Sequence, residues 1–183
     1  GDLGISYTRF PASVSSVIGQ GLFWTLLLTL TALIISFVLG HLLGIFSAWR
    51  RGSFLSKALP PTMILIGAFP AFFLAISAVY YLGYQLKWFP TSHAYEDLMQ
   101  PGFNLPFIAS VLQHMTLPVL VIVATTLGGW ALSMRNVMIS VLGEDYITLA
   151  EAKGLSNSRI MLMYAARNAL LPSVTAFGIV LGA

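Results

Sequence analysis

GLFWTLLLTLTALIISFVLGHLLGIFSA, residues 21–48, holds 28 consecutive residues without Asp, Glu, Lys or Arg. At about 1.5 Å per residue, a helix of that length exceeds the roughly 30 Å hydrocarbon core of a bilayer. It can span with tilt or with its ends among the headgroups. Two further uncharged runs follow, Leu59–Leu86 and Met115–Met134, and a fourth begins near Leu170. Inside a bilayer every backbone polar group must be satisfied within its own segment, so runs of this kind fold as helices. The fold class is therefore all-α, a polytopic transmembrane helix bundle.

Composition agrees. Charged residues make up 8% and hydrophobic residues 57% of the 183, against about 25% charged in soluble domains. So few charges cannot cover a water-soluble domain, and lipid must be part of the solvent. The net charge of +3 reflects nine basic residues spread thinly, and it gives no sign of a nucleic-acid partner. There is no cysteine, hence no disulfide and no thiolate metal site.

Prolines punctuate the runs. Pro60 and Pro61 suit the first turn of the second helix, where a missing N–H costs little. Pro70 predicts a kink inside it. Pro118 stands near the start of the third run, and a short helix over 107–114 is expected to lead into it. The fourth run offers roughly 14 residues, about 21 Å, before the sequence stops. The chain is accordingly expected to be a fragment, residues 1–183 of one transmembrane domain lacking flanking helices at both ends. It should hold about three full spans, a connecting loop at 144–172 and the start of a fourth span.

Basic residues set the expected orientation. Arg50, Arg51, Lys57, Arg135, Lys153, Arg159 and Arg167 fall on one side, and only Arg9 and Lys87 on the other. By the positive-inside rule, residues 49–58 and 135–171 face the cytoplasm, and residues 1–20 and 87–114 face outward.

Single residues inside the runs carry weaker readings. Gly40 and Gly44 form a small-xxx-small pair suited to close helix contact, or simply reflect the glycine content of membrane helices. His41 reads as a packed histidine, since no run holds a carboxylate to pair with it. His93 and His114 are external and 21 residues apart; a metal site built from them is the weaker reading, and no metal site is assigned. The aromatics of the second run, among them Phe69, Phe72, Tyr80 and Tyr84, read as helix-packing or lipid-facing side chains.

No phosphate-binding G-x-x-x-x-G-K-[ST], G-x-S-x-G or H-E-x-x-H occurs. No catalytic residue is assigned, and the chain reads as a non-enzymatic membrane subunit. Ion-driven transporters usually carry buried carboxylates or lysines, and none lies in a run. Energy for any uphill transport should enter from outside the membrane. A secondary transporter or channel without an ATPase is the alternative, and a structural subunit of a larger membrane enzyme is a third reading.

The most informative stretch is EDYITLAEAKGLSNSRIMLMYAARNALLP, Glu144–Pro172. Nearly thirty residues is long for a connection, and long loops are usually functional. A first helix is expected over about Asp145–Lys153, with an acidic start and a basic end that suit the helix dipole. Gly154 is a left-handed stop, and Ser156 is the N-cap of a second helix that ends before Pro172. Tyr146, Leu149, Ala150 and Lys153 share a face, where the small Ala150 and Gly154 would let another surface approach.

This loop resembles the cytoplasmic "EAA" loop of ABC importer permeases, and more specifically that of the dipeptide/oligopeptide/nickel branch. That branch reads D-Y-x-x-x-A-x-A-K-G-L, then a basic helix with R-N-A-L-L-P. The matching residues are Asp145, Tyr146, Ala150, Ala152, Lys153, Gly154 and Leu155, then Arg167, Asn168, Ala169, Leu170, Leu171 and Pro172. The opening Gly1-Asp2-Leu3-Gly4, the Arg50-Arg51-Gly52-Ser53 turn, Pro70, His114 and Leu117-Pro118 also fit. Aligned on Gly154, the general motif's glutamate position is Thr148, and the interval to Leu-Pro is longer; both departures are usual in this branch.

The resemblance implies a binding-protein-dependent importer in a prokaryotic inner membrane. Its permease pairs with a homologous second permease, sits on two ATPase subunits, and receives solute from an extracytoplasmic binding protein. ATP and Mg would be bound by the ATPases and no cofactor by this chain. The 144–172 loop, with Leu149 beside the motif residues, would be the coupling helix that docks on the ATPase. The solute would be a peptide, a nickel complex or an oligosaccharide, and no substrate-binding residue is assigned.

Overall fold

In the computed structural model, residues 3–182 are described. Gly1 and Asp2 of the opening tetrapeptide, and Ala183 at the end of the fourth run, lie outside the described residues. Regular structure among the described residues is helical, apart from one antiparallel bridge between Ile5 and Ser13.

Helix α1 spans Val14–Trp49 and α4 spans Leu105–Val141. Between them lie α2 (Phe54–Gly67) and α3 (Ala71–Gln85), the latter closing in a wide π-type turn over Val79–Gln85. Helix α5 is Asp145–Ala152, and α6 is Asn157–Gly182 with a π-type stretch at Ile160–Ala166. Helices α1, α4 and α6 are each long and apolar enough to cross a membrane, and α2 with α3 pass the same test as a broken pair. The chain is thus a polytopic helical membrane protein.

Several boundaries depart from the sequence reading. Helix α1 begins before the apolar run because Ser13 caps it, its hydroxyl accepting from the Ser16 amide at 3.3 Å. Helix α2 begins at Phe54 under the Ser53 cap (Ser56 N–H to Oγ, 3.2 Å), so Pro60 and Pro61 sit in its interior and not in its first turn. The segment 107–114 is no separate helix but the start of α4, which continues through Pro118. The second loop helix does not end before Pro172: it and the fourth run are one helix, α6. The reason is common to these prolines. A proline forfeits one backbone hydrogen bond, whereas ending the helix in an apolar environment would strand several polar groups.

Pro70 acts as expected and more strongly. Its ring biases Phe69 away from helical geometry. Helix α2 therefore closes with Ala68 N–H on the Ile64 carbonyl at 3.0 Å, and the chain restarts as α3 at Ala71.

By its contacts the chain forms two compact units, one from residues up to 33 with 72–122, the other from 34–71 with residues from 123 onward. In the second unit, α1 and α4 cross closely at Gly40 and Gly44. A Cβ on Gly40 would lie 2.6 Å from the Trp130 Cβ, and one on Gly44 would lie 2.6 Å from the Ala131 carbonyl oxygen. The close-contact reading of this pair therefore holds. His41 beside it is buried, its Nδ1–H donating to the Phe37 carbonyl at 2.6 Å and its ring tilted 37° against Phe37 with the centroids 4.0 Å apart.

Candidate functional site

The 144–172 segment folds as a short helix, a glycine turn and the N-terminal part of a long helix. Glu144 opens α5 with extended backbone, its carbonyl accepting from Ile147 N–H at 3.0 Å. The helix ends in a Schellman motif. Leu155 N–H reaches back to the Ala150 carbonyl at 3.3 Å, and Gly154 N–H to the Glu151 carbonyl at 2.9 Å. This geometry puts Gly154 at φ +71°, the left-handed region that side chains with a Cβ rarely adopt. The expected stop is therefore present. Ser156 holds the N-cap position of α6, but through its backbone: its carbonyl accepts from Arg159 N–H at 2.9 Å and Ile160 N–H at 3.0 Å, with no side-chain cap bond.

Helix α5 is seated on the rest of its unit by two side chains. Ile147 and Ala150 are each 2% exposed. They join one apolar cluster with Ile45 and Ala48 of α1, Met134 and Met138 of α4, and Ile160, Met161, Ala165, Ala166 and Ala169 of α6. Leu155, which follows Gly154, packs against the same cluster. The small residues of α6 let that helix come close enough to bury Met134 and Met138 completely.

Polar bonds brace the same region. Asn168 Nδ2 donates to the Tyr146 hydroxyl at 3.1 Å and to the Tyr164 carbonyl at 2.8 Å. Residues from the two halves of the sequence motif, 22 positions apart, are thus in direct contact. Arg135 Nε donates to Ser47 Oγ at 3.2 Å, and Arg51 Nη2 to the Ile139 carbonyl at 3.4 Å, tying the end of α1 to α4.

The expected shared face of Tyr146, Leu149, Ala150 and Lys153 divides. Ala150 turns inward with Ile147, and both sit in the apolar cluster. Leu149 is 56% exposed, and Asp145, Tyr146, Ala152, Lys153 and Gly154 are also exposed. Arg167, Leu171 and Pro172 are exposed along α6, and the Leu-Pro pair lies inside that helix. The structure packs Ala150 and Leu155 into the apolar cluster and joins Tyr146 to Asn168 by a hydrogen bond. It presents Asp145, Leu149, Ala152, Lys153 and Gly154 outward, and leaves Leu171 and Pro172 as helix-interior positions. Ile147, the larger of the two anchors, is absent from the motif residues; its signal was the i, i+3 pairing with Ala150.

Comparison with known proteins identifies the relatives of this arrangement. Residues 40–183 match the family described as "Binding-protein-dependent transport system inner membrane component". The chain is 36% identical over 187 aligned positions to a Brucella suis biovar 1 (strain 1330) protein named as a peptide permease, covering all of this chain and 56% of the relative. It is 33% identical over 181 positions to the oligopeptide transport system permease protein AppB of Bacillus subtilis (strain 168), covering 99% of this chain and 56% of AppB. To the dipeptide transport system permease protein DppB of the same organism it is 32% identical over 177 positions, covering 97% of this chain and 53% of DppB. The chain thus spans about half the length of the curated relatives it matches.

Proposed function

Because the chain belongs to the family of binding-protein-dependent transport system inner membrane components, we propose that it forms part of the translocation pathway of an ATP-driven importer of peptides. In this reading α5 and the turn after it are the coupling element that docks on a separate ATPase subunit. A homologous second permease, a second ATPase and an extracytoplasmic binding protein complete the importer. Residues 49–58 and 135–171 face the cytoplasm. The substrate class rests on the names of the relatives, all peptide permeases among those compared.

One observation carries the coupling assignment. Helix α5 buries Ile147 and Ala150 against α1, α4 and α6 while turning Leu149 outward. A partner gripping the exposed side of α5 would move three membrane-crossing helices through a close-packed contact, with little slack between them. ATP-driven closure of the ATPases would then shift the permease between inward- and outward-open states, a rigid-body transition between two packings. This chain contributes position and leverage to that cycle, and the partner carries out the hydrolysis.

The test uses two variants of the full-length permease. Leu149→Asp puts a charge on an exposed position and should leave insertion and abundance unchanged, while ATPase copurification and peptide uptake fall at least tenfold. Gly154→Leu should act in the same direction, with an added cost of about 1–2 kcal/mol for a side chain in the left-handed region. Normal uptake in Leu149→Asp at normal abundance would remove α5 as the docking element.

A further inference from the structure

The turn between α1 and α2 carries basic side chains and no acidic one. Arg50 and Arg51 follow the last residue of α1, Gly52 turns the chain at φ +92°, and Lys57 stands in the first turn of α2. All three basic residues are exposed. The sequence holds no Asp or Glu between residues 3 and 95, and among the described residues no ion pair engages Arg50, Arg51 or Lys57. Arg51 Nη2 donates to the Ile139 carbonyl at 3.4 Å, which leaves its charge uncompensated.

The flanking sequence fixes the depth of this turn. The uncharged run of residues 21–48 stops two residues before Arg50, and the next begins at Leu59. Both runs belong in hydrocarbon, so the short stretch between them stands at the level of the headgroups. Phe54 is 87% exposed, and three residues from Lys57 it shares that residue's face of α2. An uncovered aromatic ring beside exposed basic side chains is the pattern of a segment lying in the membrane interface, the ring toward the acyl chains and the charges among the headgroups.

We propose that the 50–57 turn binds anionic phospholipid headgroups, with Arg50, Arg51 and Lys57 meeting phosphate oxygens and Phe54 seated at the acyl boundary. An acidic protein surface could meet the same charges, but a turn this short between two apolar runs reaches no higher than the headgroups, and a protein partner would leave the Phe54 ring uncovered by lipid. The turn also belongs to the unit that holds α5. Arg51 ties it to α4, and Ile45 and Ala48 just before it lie in the cluster that seats α5. Lipid held here steadies the end of α1 beside that cluster. The inference rests on the membrane-crossing helices and not on the ATPase-docking reading.

The test places full-length permease in nanodiscs of equal phosphatidylglycerol and phosphatidylcholine and counts the lipids retained on release by native mass spectrometry. Wild type should retain phosphatidylglycerol in preference by at least about tenfold, and Arg50→Gln and Lys57→Gln should each lower that preference by about fivefold, the effect of one basic side chain near an anionic surface. The double variant Arg50→Gln/Lys57→Gln should approach parity. Arg51 is spared because its bond to Ile139 would be lost with it. Unchanged thermal unfolding in phosphatidylcholine alone checks each fold. Arg9→Gln and Lys87→Gln, on the other side of the membrane, should leave the preference unchanged. So should Leu149→Asp, which separates a failure of this site from a failure of the docking reading. Inorganic phosphate should compete no better than chloride at equal ionic strength. A wild-type preference below about twofold, or one that survives in the double variant, overturns the site. Selective displacement by inorganic phosphate overturns it in favour of a soluble anion. Loss of ATPase copurification in the double variant, with the lipid preference intact, overturns it in favour of a protein partner.

Discussion

The two units of the chain are built to different densities. In the unit holding α5, eleven buried residues from α1, α4, α5 and α6 form a single apolar cluster, and Met134, Met138, Ala48, Ala165 and Ala169 have no exposure at all. In the unit holding residues 86–104, the irregular segment is held by individual polar and ring contacts. Glu96 N–H bonds Ser110 Oγ at 3.0 Å, and Tyr95 packs on Trp24 and Phe107 at 5.7 and 5.1 Å. Around these lie cavities, one of about 530 Å³ lined by Trp24, Phe103 and Phe107. A close-packed cluster transmits displacement because it has no voids to absorb it; a cavity-bearing region can rearrange around what enters it. The first suits a lever and the second suits a binding surface.

Substitutions can break that contrast, beginning with the most severe. Gly44→Leu puts a side chain where even a Cβ would stand 2.6 Å from a backbone oxygen of α4. Overpacking of this kind should cost about 3 kcal/mol or more, seen as low membrane abundance and loss of the folded peak in size exclusion. Normal abundance would mean that the α1–α4 crossing is looser than described. Ile147→Ala removes the main anchor of α5 and should cost about 3 kcal/mol. Because the loss is confined to α5, the variant should insert normally, yet cleave faster by protease within 144–156 and lose most of its uptake. Tyr146→Phe deletes only the hydroxyl that accepts from Asn168, which keeps its bond to the Tyr164 carbonyl. A loss of about 1 kcal/mol or less is expected, lowering the unfolding temperature by about 2 °C with uptake nearly intact. A large loss of uptake there would place Tyr146 in the partner contact itself.

Much of this was readable from residue types. Uncharged runs locate helices because hydrocarbon leaves the backbone no alternative, so α1, α4 and the stretch that holds α2 and α3 were expected from the missing charges, and the break between α2 and α3 from Pro70. Gly154 was legible because a Schellman turn needs a residue free at positive φ. The prolines misled: at Pro118 and Pro172 the usual soluble-protein rule gives way to the larger cost of unsatisfied backbone in an apolar setting. The inward turn of Ala150 was hidden because an eight-residue helix offers two overlapping small faces. Only the cluster on three other helices decides between them.

The central claim, that α5 grips an ATPase, is tested most directly by cross-linking. This stretch of the permease contains no cysteine, so single cysteines report on chosen positions without background from it. Leu149→Cys, on the exposed side of α5, and Ile147→Cys, on its buried side, are introduced separately into the full-length permease and treated with a short bifunctional maleimide beside its ATPase carrying a surface cysteine. The account predicts a permease–ATPase product from Leu149→Cys whose yield changes with ATP, and none from Ile147→Cys. No product from Leu149→Cys at normal abundance and copurification, or equal products from both positions, would contradict it.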